Sequence, residues 1–433
     1  MEAKWRWKTM VGLSVVIALA TTACSSGNDP VDSTTTTDAA TQTTTTTEAE
    51  TTTTTEPGPT GSLLIWADQT RAPVVEAIAE TFTAETGAEV TVEILGFPDI
   101  RNDVQNAAPA GEGPDIFIGA HDWTGELVQA GVVSPIGLES RQDEFFPVTI
   151  DALTYEGEVY GVPFTIEAVG LFYNKALIAE PPVDFAALRD ACDEMGFPTA
   201  DGTPCLALPV GEPLHQFPFM AGFDGYVFGF ENGTYDVADV GLDSPGAIEG
   251  ATFLSGLYLD GYADGAVDYS VMADLFNQGA VPFMWTGPWQ VEAVDAAGID
   301  YGVARLPLMG GLAPRPFVGA NGFFLNSFSE HTTLAQTFLF DYVMATEAMV
   351  QLSEATIRPP ALKSALDEVA GDPNLAAFAE SGISGIPLPN IKELADAWGP
   401  LSAALLAIGQ GSEDPAAVMT EAADLVRAAL GAG

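Results

Sequence analysis

Three acidic residues could supply the pair of carboxylates that a glycosidase uses: Asp122, Glu167 and Glu212. The sequence does not define the distances between them, and no second catalytic signature accompanies them. There is no Gly-x-Ser-x-Gly motif. The three histidines are not spaced as metal ligands: His121, His215 and His331. We therefore predict no catalytic residues, no metal site and no cofactor, and interpret the acidic residues as candidates for binding.

Cys24 ends an N-terminal segment, residues 1–24, that is typical of a secretory signal. Basic residues at its start precede an apolar stretch, 10–20, which is shorter than the about 20 apolar residues of a membrane-spanning helix. The end of the segment resembles the lipobox of bacterial lipoproteins, in which the cysteine becomes the acylated first residue. The alternative is an ordinary signal peptide that leaves Cys24 free. We expect lipidated Cys24 to anchor the protein to the outer face of the cell membrane, because two acyl chains bind a protein stably to a bilayer.

The other two cysteines, Cys192 and Cys205, flank a short loop that contains glycine and proline. In an oxidising compartment they could pair. Closing a loop of about 14 residues stabilises a fold by roughly 3 kcal/mol in the chain-entropy model. A metal site is the alternative, but no nearby histidine or second cysteine pair completes one. We predict a disulfide.

A threonine-rich segment, residues 25–61, lacks the apolar residues needed to fold and predicts a disordered tether, with O-linked sugars as an option. The remaining chain is long enough for two domains. Its charge is unbalanced, with 14 Lys and Arg against 60 Asp and Glu and a net charge of −46. Such a surface repels nucleic acid and anionic lipid, so we expect no nucleic-acid partner and membrane contact only through the lipid anchor.

Strands and helices alternate at the start of the folded part. The apolar run Ser62–Trp66 predicts a buried strand, and the amphipathic pattern of Pro73–Thr86 predicts a helix. Further strands are expected at 89–94 and 115–118, with a helix near 100–107. Later helices are expected over five segments: 182–195, 333–344, 361–369, 391–406 and 415–430. Because strands that alternate with helices form covered parallel sheets, the sequence predicts an α/β protein, with two lobes.

Short segments along the chain match one known family in their order and spacing. They include Thr86–Glu93, Gly113–Phe117, Glu167–Lys175, Thr286–Trp289 and Pro389–Ile391. No single segment is specific, but together they resemble the bacterial maltose- and maltodextrin-binding proteins. These are extracellular solute-binding proteins (family 1) and serve as the sugar receptors of ABC importers.

The resemblance implies a periplasmic-binding-protein-like fold, with two α/β lobes, a multi-strand hinge and a ligand cleft between the lobes. The lobes would consist of two ranges each: 62–165 and 322–370 for the N-lobe, 166–321 and 371–433 for the C-lobe. The chain would cross the hinge at three places: near 164–168, 317–322 and 372–373. Ligand would close the lobes by a hinge motion.

Flat aromatic faces that meet the C–H surface of a pyranose are one requirement of a sugar site. Trp289 and Trp398 fall where the resembled family stacks tryptophan on glucose rings. Periodicity alone favours core packing for both, whereas the resemblance favours binding. Trp123 stands where model members of the family have arginine, and it could either stack on sugar from the N-lobe or pack in the core.

Polar groups that pair with sugar hydroxyls are the other requirement. Asp68 and Asp122 each follow a predicted strand, at the sheet edge where α/β folds bind ligands. Arg71 lies at a helix start, where the dipole does not favour a cation, so a functional reason becomes more plausible. Glu167 and Glu212 match ligand-contacting glutamates of the family. For each acidic residue, a solvated surface group is the alternative.

The chain departs from the maltodextrin-binding members at several cleft positions: Gly119, Leu214, His215, Gly399 and Ser402. We therefore expect a maltose- or maltodextrin-like ligand, with trehalose, another α-glucoside or a different oligosaccharide left open. The expected protein is an extracytoplasmic monomer that delivers oligosaccharide to the permease subunits of an ABC transporter. The alternatives are a non-transport sugar sensor or adhesin and, less favoured, a glycoside hydrolase that uses the three carboxylates named above.

Overall fold

The computed structural model describes residues 61–411 and 414–431. The predicted signal peptide with Cys24, and all but the last residue of the predicted tether 25–61, lie outside the described residues. Within these two ranges no helix is both long enough and apolar enough to cross a membrane.

Strands and α-helices alternate through much of the chain. The strands are β1 (Ser62–Asp68), β2 (Glu89–Leu95), β3 (Ile116–Ala120), β4 (Val133–Ser134), β5 (Thr154–Tyr155), β6 (Glu158–Val159), β7 (Gly161–Pro163), β8 (Gly170–Asn174), β9 (Leu206–Ala207), β10 (Phe228–Glu231), β11 (Thr234–Val240), β12 (Phe283–Thr286), β13 (Tyr301–Ala304), β14 (Phe317–Val318), β15 (Asn321–Asn326) and β16 (Ile386–Pro387). The helices are α1 (Ala72–Thr86), α2 (Phe97–Ala107), α3 (Thr124–Gln129), α4 (Pro147–Ala152), α5 (Phe185–Met195), α6 (Pro213–Ala221), α7 (Pro245–Leu259), α8 (Tyr269–Asn277), α9 (Val291–Ala297), α10 (Thr332–Thr337), α11 (Thr346–Thr356), α12 (Lys363–Val369), α13 (Pro373–Ile383), α14 (Leu394–Gly409) and α15 (Pro415–Ala429).

The first sheet has the strand order β2-β1-β3-β15-β4, and β7 also pairs with β15. β1 is parallel to β2 and to β3, because the intervening helices α1 and α2 return the chain to the end of the sheet at which β1 starts. β15 comes from much later in the chain and pairs antiparallel with β3, β4 and β7. The predicted α/β alternation is confirmed in this part.

Helix α1 shows how local sequence sets the elements that carry the site. Pro73 lies in its first turn, where the missing N–H is not needed. Gly87 ends it with φ 79°, a left-handed conformation that glycine adopts without strain. Val75, Ile78 and Phe82 form its buried face, and each such side chain stabilises the fold by roughly 1.5–3 kcal/mol.

The second sheet has the order β13-β8-β12-β9, with β8 antiparallel to both of its neighbours and β9 parallel to β12. Cys192 in α5 and Cys205 before β9 are both buried and form a disulfide, with their Cα atoms 5.8 Å apart. The predicted disulfide is therefore present. It ties α5 to the strand that follows the loop.

The buried apolar side chains form separate clusters. One large cluster takes its residues from 63–164 and 323–365, and a second takes its residues from 169–317 and 397–426. A third, smaller cluster joins the far face of the second sheet to Ala377 and Phe378 of α13. Two cores, each with its own sheet, are the arrangement expected of the predicted two-lobed fold class.

Three extended segments pass side by side between the two large clusters. Glu167 and Gly319 exchange both backbone hydrogen bonds, each of 2.8 Å. On the other side, Ile166 N–H donates to the carbonyl of Pro359 (2.8 Å), and Ala361 N–H donates to that of Phe164 (3.0 Å). The segment that pairs with 164–166 is thus 359–361. Asp372, near the predicted third crossing, caps α13 by accepting from the backbone N–H groups of its first turn.

Candidate ligand-binding site

Asp68 and Arg71 form a buried ion pair at the carboxyl end of β1. The distance from Arg71 Nη1 to Asp68 Oδ2 is 2.7 Å, and the residues are only 7% and 6% exposed. Asp68 Oδ1 accepts the backbone N–H of Thr70 at 3.0 Å. Both oxygens of the aspartate are therefore engaged within the protein. Arg71 Nε is buried without an acceptor in the described residues, an arrangement that costs about 1–3 kcal/mol.

Aromatic rings connect this ion pair to Trp123. The Arg71 guanidinium lies over the ring of Phe97, 4.8 Å from its centroid. Phe97 in turn packs on the indole of Trp123 at 5.0 Å. Trp123 is 7% exposed, so most of its surface faces core neighbours rather than solvent, while the adjacent Asp122 is exposed.

Gly119 explains how Trp123 reaches that position. A Cβ at residue 119 would lie 2.9 Å from the Trp123 ring and 3.1 Å from that of Phe324. The indole of Trp123 thus occupies the space that a side chain at position 119 would take. The absence of a side chain at position 119 therefore allows Trp123 to pack here.

Glu167 joins the first group of site residues through the crossing segments. Its Oε1 lies 2.5 Å from Arg358 Nε and accepts a hydrogen bond of 2.7 Å from Asn321 Nδ2. The Nε–H is not directed at this oxygen, so the contact with Arg358 is an ion pair rather than a hydrogen bond. Arg358 and Asn321 were not predicted as site residues from the sequence. Basic residues are scarce in this chain, with 14 Lys and Arg against 60 Asp and Glu. That scarcity is the one sequence signal that could have pointed to Arg358.

A second group of site residues lies around the start of α6. Glu212 immediately precedes the helix and is partly buried, which raises the pKa of its carboxyl group. His215 is 3% exposed, and its Nε2 lies 3.3 Å from the hydroxyl of Thr286. Burial lowers the pKa of His215 to about 3. The imidazole is therefore neutral at ordinary pH.

Trp289 follows β12 and is partly exposed. Its indole lies directly over the backbone of Gly287, where an added Cβ would be 2.2 Å from the ring, so only glycine allows this approach. The ring of His215 meets the indole edge-on, with centroids 6.1 Å apart. Trp285, two residues before Gly287, is instead fully buried and stacks on Phe219.

Trp398 lies on α14 and is also partly exposed, with its ring 6.2 Å from that of Phe317. The same helix approaches Glu212, because Ser402 Oγ donates to the carbonyl of Gly211 at 2.5 Å. Helices α6 and α14 therefore hold Glu212 and Trp398 in one neighbourhood.

The crossing segment 317–321 contacts residues of both groups. At one end Phe317 contacts Trp398, and towards the other end Gly319 and Asn321 contact Glu167. Five extended residues span at most about 14 Å between their end Cα atoms. Across residues 61–411 and 414–431, no ion pair or ring contact joins one group directly to the other. Among the described residues, the two groups of predicted ligand residues are therefore not in direct contact.

A cavity of about 630 Å³ is lined in part by Phe317, the residue that contacts Trp398. It is lined by parts of four segments: 147–151, 224–239, 315–317 and 383–389. None of the predicted ligand residues lines it. In the described part of the chain, no group of histidine, cysteine or acidic side chains is arranged to hold a metal ion.

A family model described as bacterial extracellular solute-binding protein matches residues 77–377. The chain belongs to this family. The family predicted from the sequence is thus confirmed.

Several related proteins match most of this chain and most of their own length. A galactooligosaccharide-binding protein of Bacillus subtilis (strain 168) is 28% identical over 375 residues, which are 84% of this chain and 88% of that protein. A maltooligosaccharide ABC transporter solute-binding lipoprotein of Streptococcus pneumoniae (strain ATCC BAA-255 / R6) is 27% identical over 381 residues, 84% of this chain and 88% of that protein. Among solved structures, a cyclo/maltodextrin-binding protein complexed with maltotetraose superposes with a TM-score of 0.80 at 27% identity, covering 85% of this chain and 97% of that one.

Proposed function

We propose that this chain is an extracytoplasmic binding protein that captures an oligosaccharide and delivers it to the permease of an ABC transporter. The observation that carries the proposal is the pair of partly exposed indoles, Trp289 and Trp398, of which Trp398 contacts the same crossing segment that pairs with Glu167. The relatives with related sequences bind oligosaccharides, and one is named as part of an ABC transporter.

The indole faces would stack on pyranose rings, and carboxylate oxygens would accept hydrogen bonds from hydroxyl groups. Glu212 would add an acceptor from the start of α6. Arg71, fixed by Asp68, would supply a donor from the opposite side, next to Asp122 and Trp123. A ligand held by both sides draws the N-lobe (62–165 and 322–370) and the C-lobe (166–321 and 371–433) together by rotation at the crossing segments.

The proposed ligand is a maltodextrin-like oligosaccharide. The structural relative was solved with maltotetraose, and its fold matches over most of its length. The galactooligosaccharide-binding relative has a similar identity, 28% over 84% of this chain, so a different linkage is the second candidate. The protein binds without chemical turnover and without a cofactor in this proposal.

Lipid on Cys24 and the tether 25–61 would hold the monomer at the outer face of the membrane. The lipoprotein relative from Streptococcus pneumoniae supports this placement. A tether of about 36 residues reaches roughly 33 Å by random-coil statistics, so the binding domain would stand clear of the lipid.

Calorimetric titration of the protein with maltose, maltotriose, maltotetraose, trehalose and a galactooligosaccharide tests the proposal. We expect a dissociation constant in the micromolar range, about −8 kcal/mol, for one of them. Trp289→Ala and Trp398→Ala should each weaken binding by about 1–4 kcal/mol, because each removes a stacking face. Thermal unfolding should show that both variants are folded.

Phe328→Ala is the matched control, since Phe328 is an exposed aromatic residue outside the site. Its affinity should equal that of the wild type. Unchanged affinity in both tryptophan variants would show that the ligand binds elsewhere. Release of reducing ends from the oligosaccharide during incubation would instead favour the glycosidase alternative.

A further inference from the structure

Arg358 contacts the proposed ligand residue Glu167 from a third crossing segment. The two side chains are 21% and 24% exposed. Arg358 and Asn321 both approach the same carboxylate oxygen, Oε1, at 2.5 and 2.7 Å. The other oxygen, Oε2, accepts no hydrogen bond from the described residues. One oxygen of Glu167 is thus held by the protein, and the other is left for a partner.

The backbone around Arg358 fixes the position of its guanidinium. Its carbonyl accepts a hydrogen bond of 2.6 Å from Ser353 Oγ, and its Nη1 donates to the carbonyl of Thr356 at 2.5 Å. Ile357, the residue before it, has φ 54° and ψ 45°, a left-handed conformation that is rare for a β-branched side chain. Such strain persists where the surrounding contacts determine the conformation, as they do here.

The charge of Arg358 also bears on what Glu167 can bind. A half-buried carboxylate without a cation is poorly solvated, and enclosing it against a neutral ligand would be costly. Arg358 compensates this charge inside the protein. The ligand then needs to provide only a hydroxyl group for Oε2, with no charge of its own.

We propose that Arg358 is a positioning residue of the oligosaccharide site: it holds Glu167 by Oε1 and compensates its charge, so that Oε2 accepts a hydrogen bond from a neutral sugar. Asn321 completes the support from the neighbouring segment. This inference rests on the proposed function of Glu167. It assigns a role to a residue that lies outside all segments that carry the family resemblance.

A double-mutant cycle tests the inference with maltotriose as ligand, or with the saccharide that the titration panel selects. Arg358→Gln and Glu167→Gln should each weaken binding about tenfold or more. The double variant should bind the saccharide no more weakly than the single variant with the lower affinity, because Arg358 acts through Glu167. Arg358→Lys should restore part of the affinity, since lysine keeps the charge but not the planar guanidinium.

Arg427→Gln is the matched control, because Arg427 forms an ion pair of similar length and exposure with Asp243 (2.7 Å), which is not a proposed ligand residue. Its affinity should be that of the wild type. If Arg358→Gln binds normally, or weakens binding by the same factor with and without the Glu167 change, the inference is overturned while the proposed function stands. If the wild type binds no saccharide, both fail together. Should Arg358→Gln not fold, the effect of Arg358→Lys on affinity is measured with and without Glu167→Gln. A smaller effect in the presence of Glu167→Gln supports the inference, and an equal effect overturns it.

Discussion

Side chains of the same type have different roles in this protein because their neighbours differ. Trp66 was predicted to be a core residue and is buried, with its indole N–H donating to Glu93. Trp123, for which the sequence favoured neither packing nor binding, packs on Phe97. Trp289 and Trp398 keep part of their surface exposed. The sequence shows that these residues are tryptophans, but exposure depends on residues that are distant in the chain.

His215 offers a prediction about pH. Burial lowers its pKa to about 3, against an ordinary value near 6.5. The unfolded chain therefore takes up a proton below pH 6.5, and the folded protein does not. The stability contributed by the neutral imidazole is complete above pH 6.5 and is lost as pH falls towards 3. At roughly 1.4 kcal/mol for each pKa unit, the loss is a few kcal/mol.

We expect His215→Gln to flatten the dependence of the unfolding free energy on pH between about 6.5 and 3, as measured by urea unfolding. His331→Gln, which changes an exposed histidine, should leave the wild-type slope unchanged. Equal slopes for His215→Gln and the wild type would contradict the assignment.

At the scale of helices and strands, local signals set most element boundaries. The helix predicted over 182–195 begins at 185, because the side chain of Asp184 caps it by accepting from Ala187 N–H at 2.8 Å. The hairpin of β10 and β11 was not predicted, although Asn232-Gly233 is its turn signal. The position of β15 beside β3, and of Arg358 beside Glu167, could not be predicted, because these contacts join segments far apart in sequence.

Ile357 at the end of α11 offers a prediction about strain. A left-handed conformation costs an L-residue roughly 1–2 kcal/mol, and glycine avoids most of this. Because the side chain is 41% exposed, its removal gives up roughly half of the 1.5–3 kcal/mol that a fully buried isoleucine contributes. The relief of strain offsets this loss, so Ile357→Gly should change the unfolding free energy by less than about 1 kcal/mol. Ile383→Gly, in which a similarly exposed isoleucine ends α13 without such strain, should lower it by about 2 kcal/mol. Equal losses of stability in both variants would contradict this explanation.

At the scale of the whole molecule, the two-lobed α/β class was predictable, because the order of many weak sequence segments carried it. The net charge of −46 follows directly from the composition of the sequence. The distribution of the predicted ligand residues between the two lobes was implied by the resemblance and stays a prediction. Which of their oxygens are free could not be predicted from the sequence, since that depends on ion pairs such as the one between Asp68 and Arg71.

The excess of negative charge predicts a response to salt. Like charges repel within the compact protein, and this repulsion lowers its stability. The screening length falls from about 30 Å at 0.01 M salt to about 3 Å at 1 M. The Tm of the ligand-free protein in sodium chloride should therefore rise by several degrees over this range. Added sucrose, which does not screen charge, serves as the control for solvent effects, and a Tm that stays constant or falls with salt would contradict the prediction.

Strand β15 has a consequence for how the protein is made. It lies between β3 and β4, but it is synthesised long after both of them. Until residues 321–326 leave the ribosome, the edges of β3 and β4 that face β15 have no partner, and the first core lacks the residues it takes from 323–365. For a chain exported as proposed, this late closure has a use: a polypeptide that cannot finish folding during translation remains loose enough to be threaded through a translocation channel.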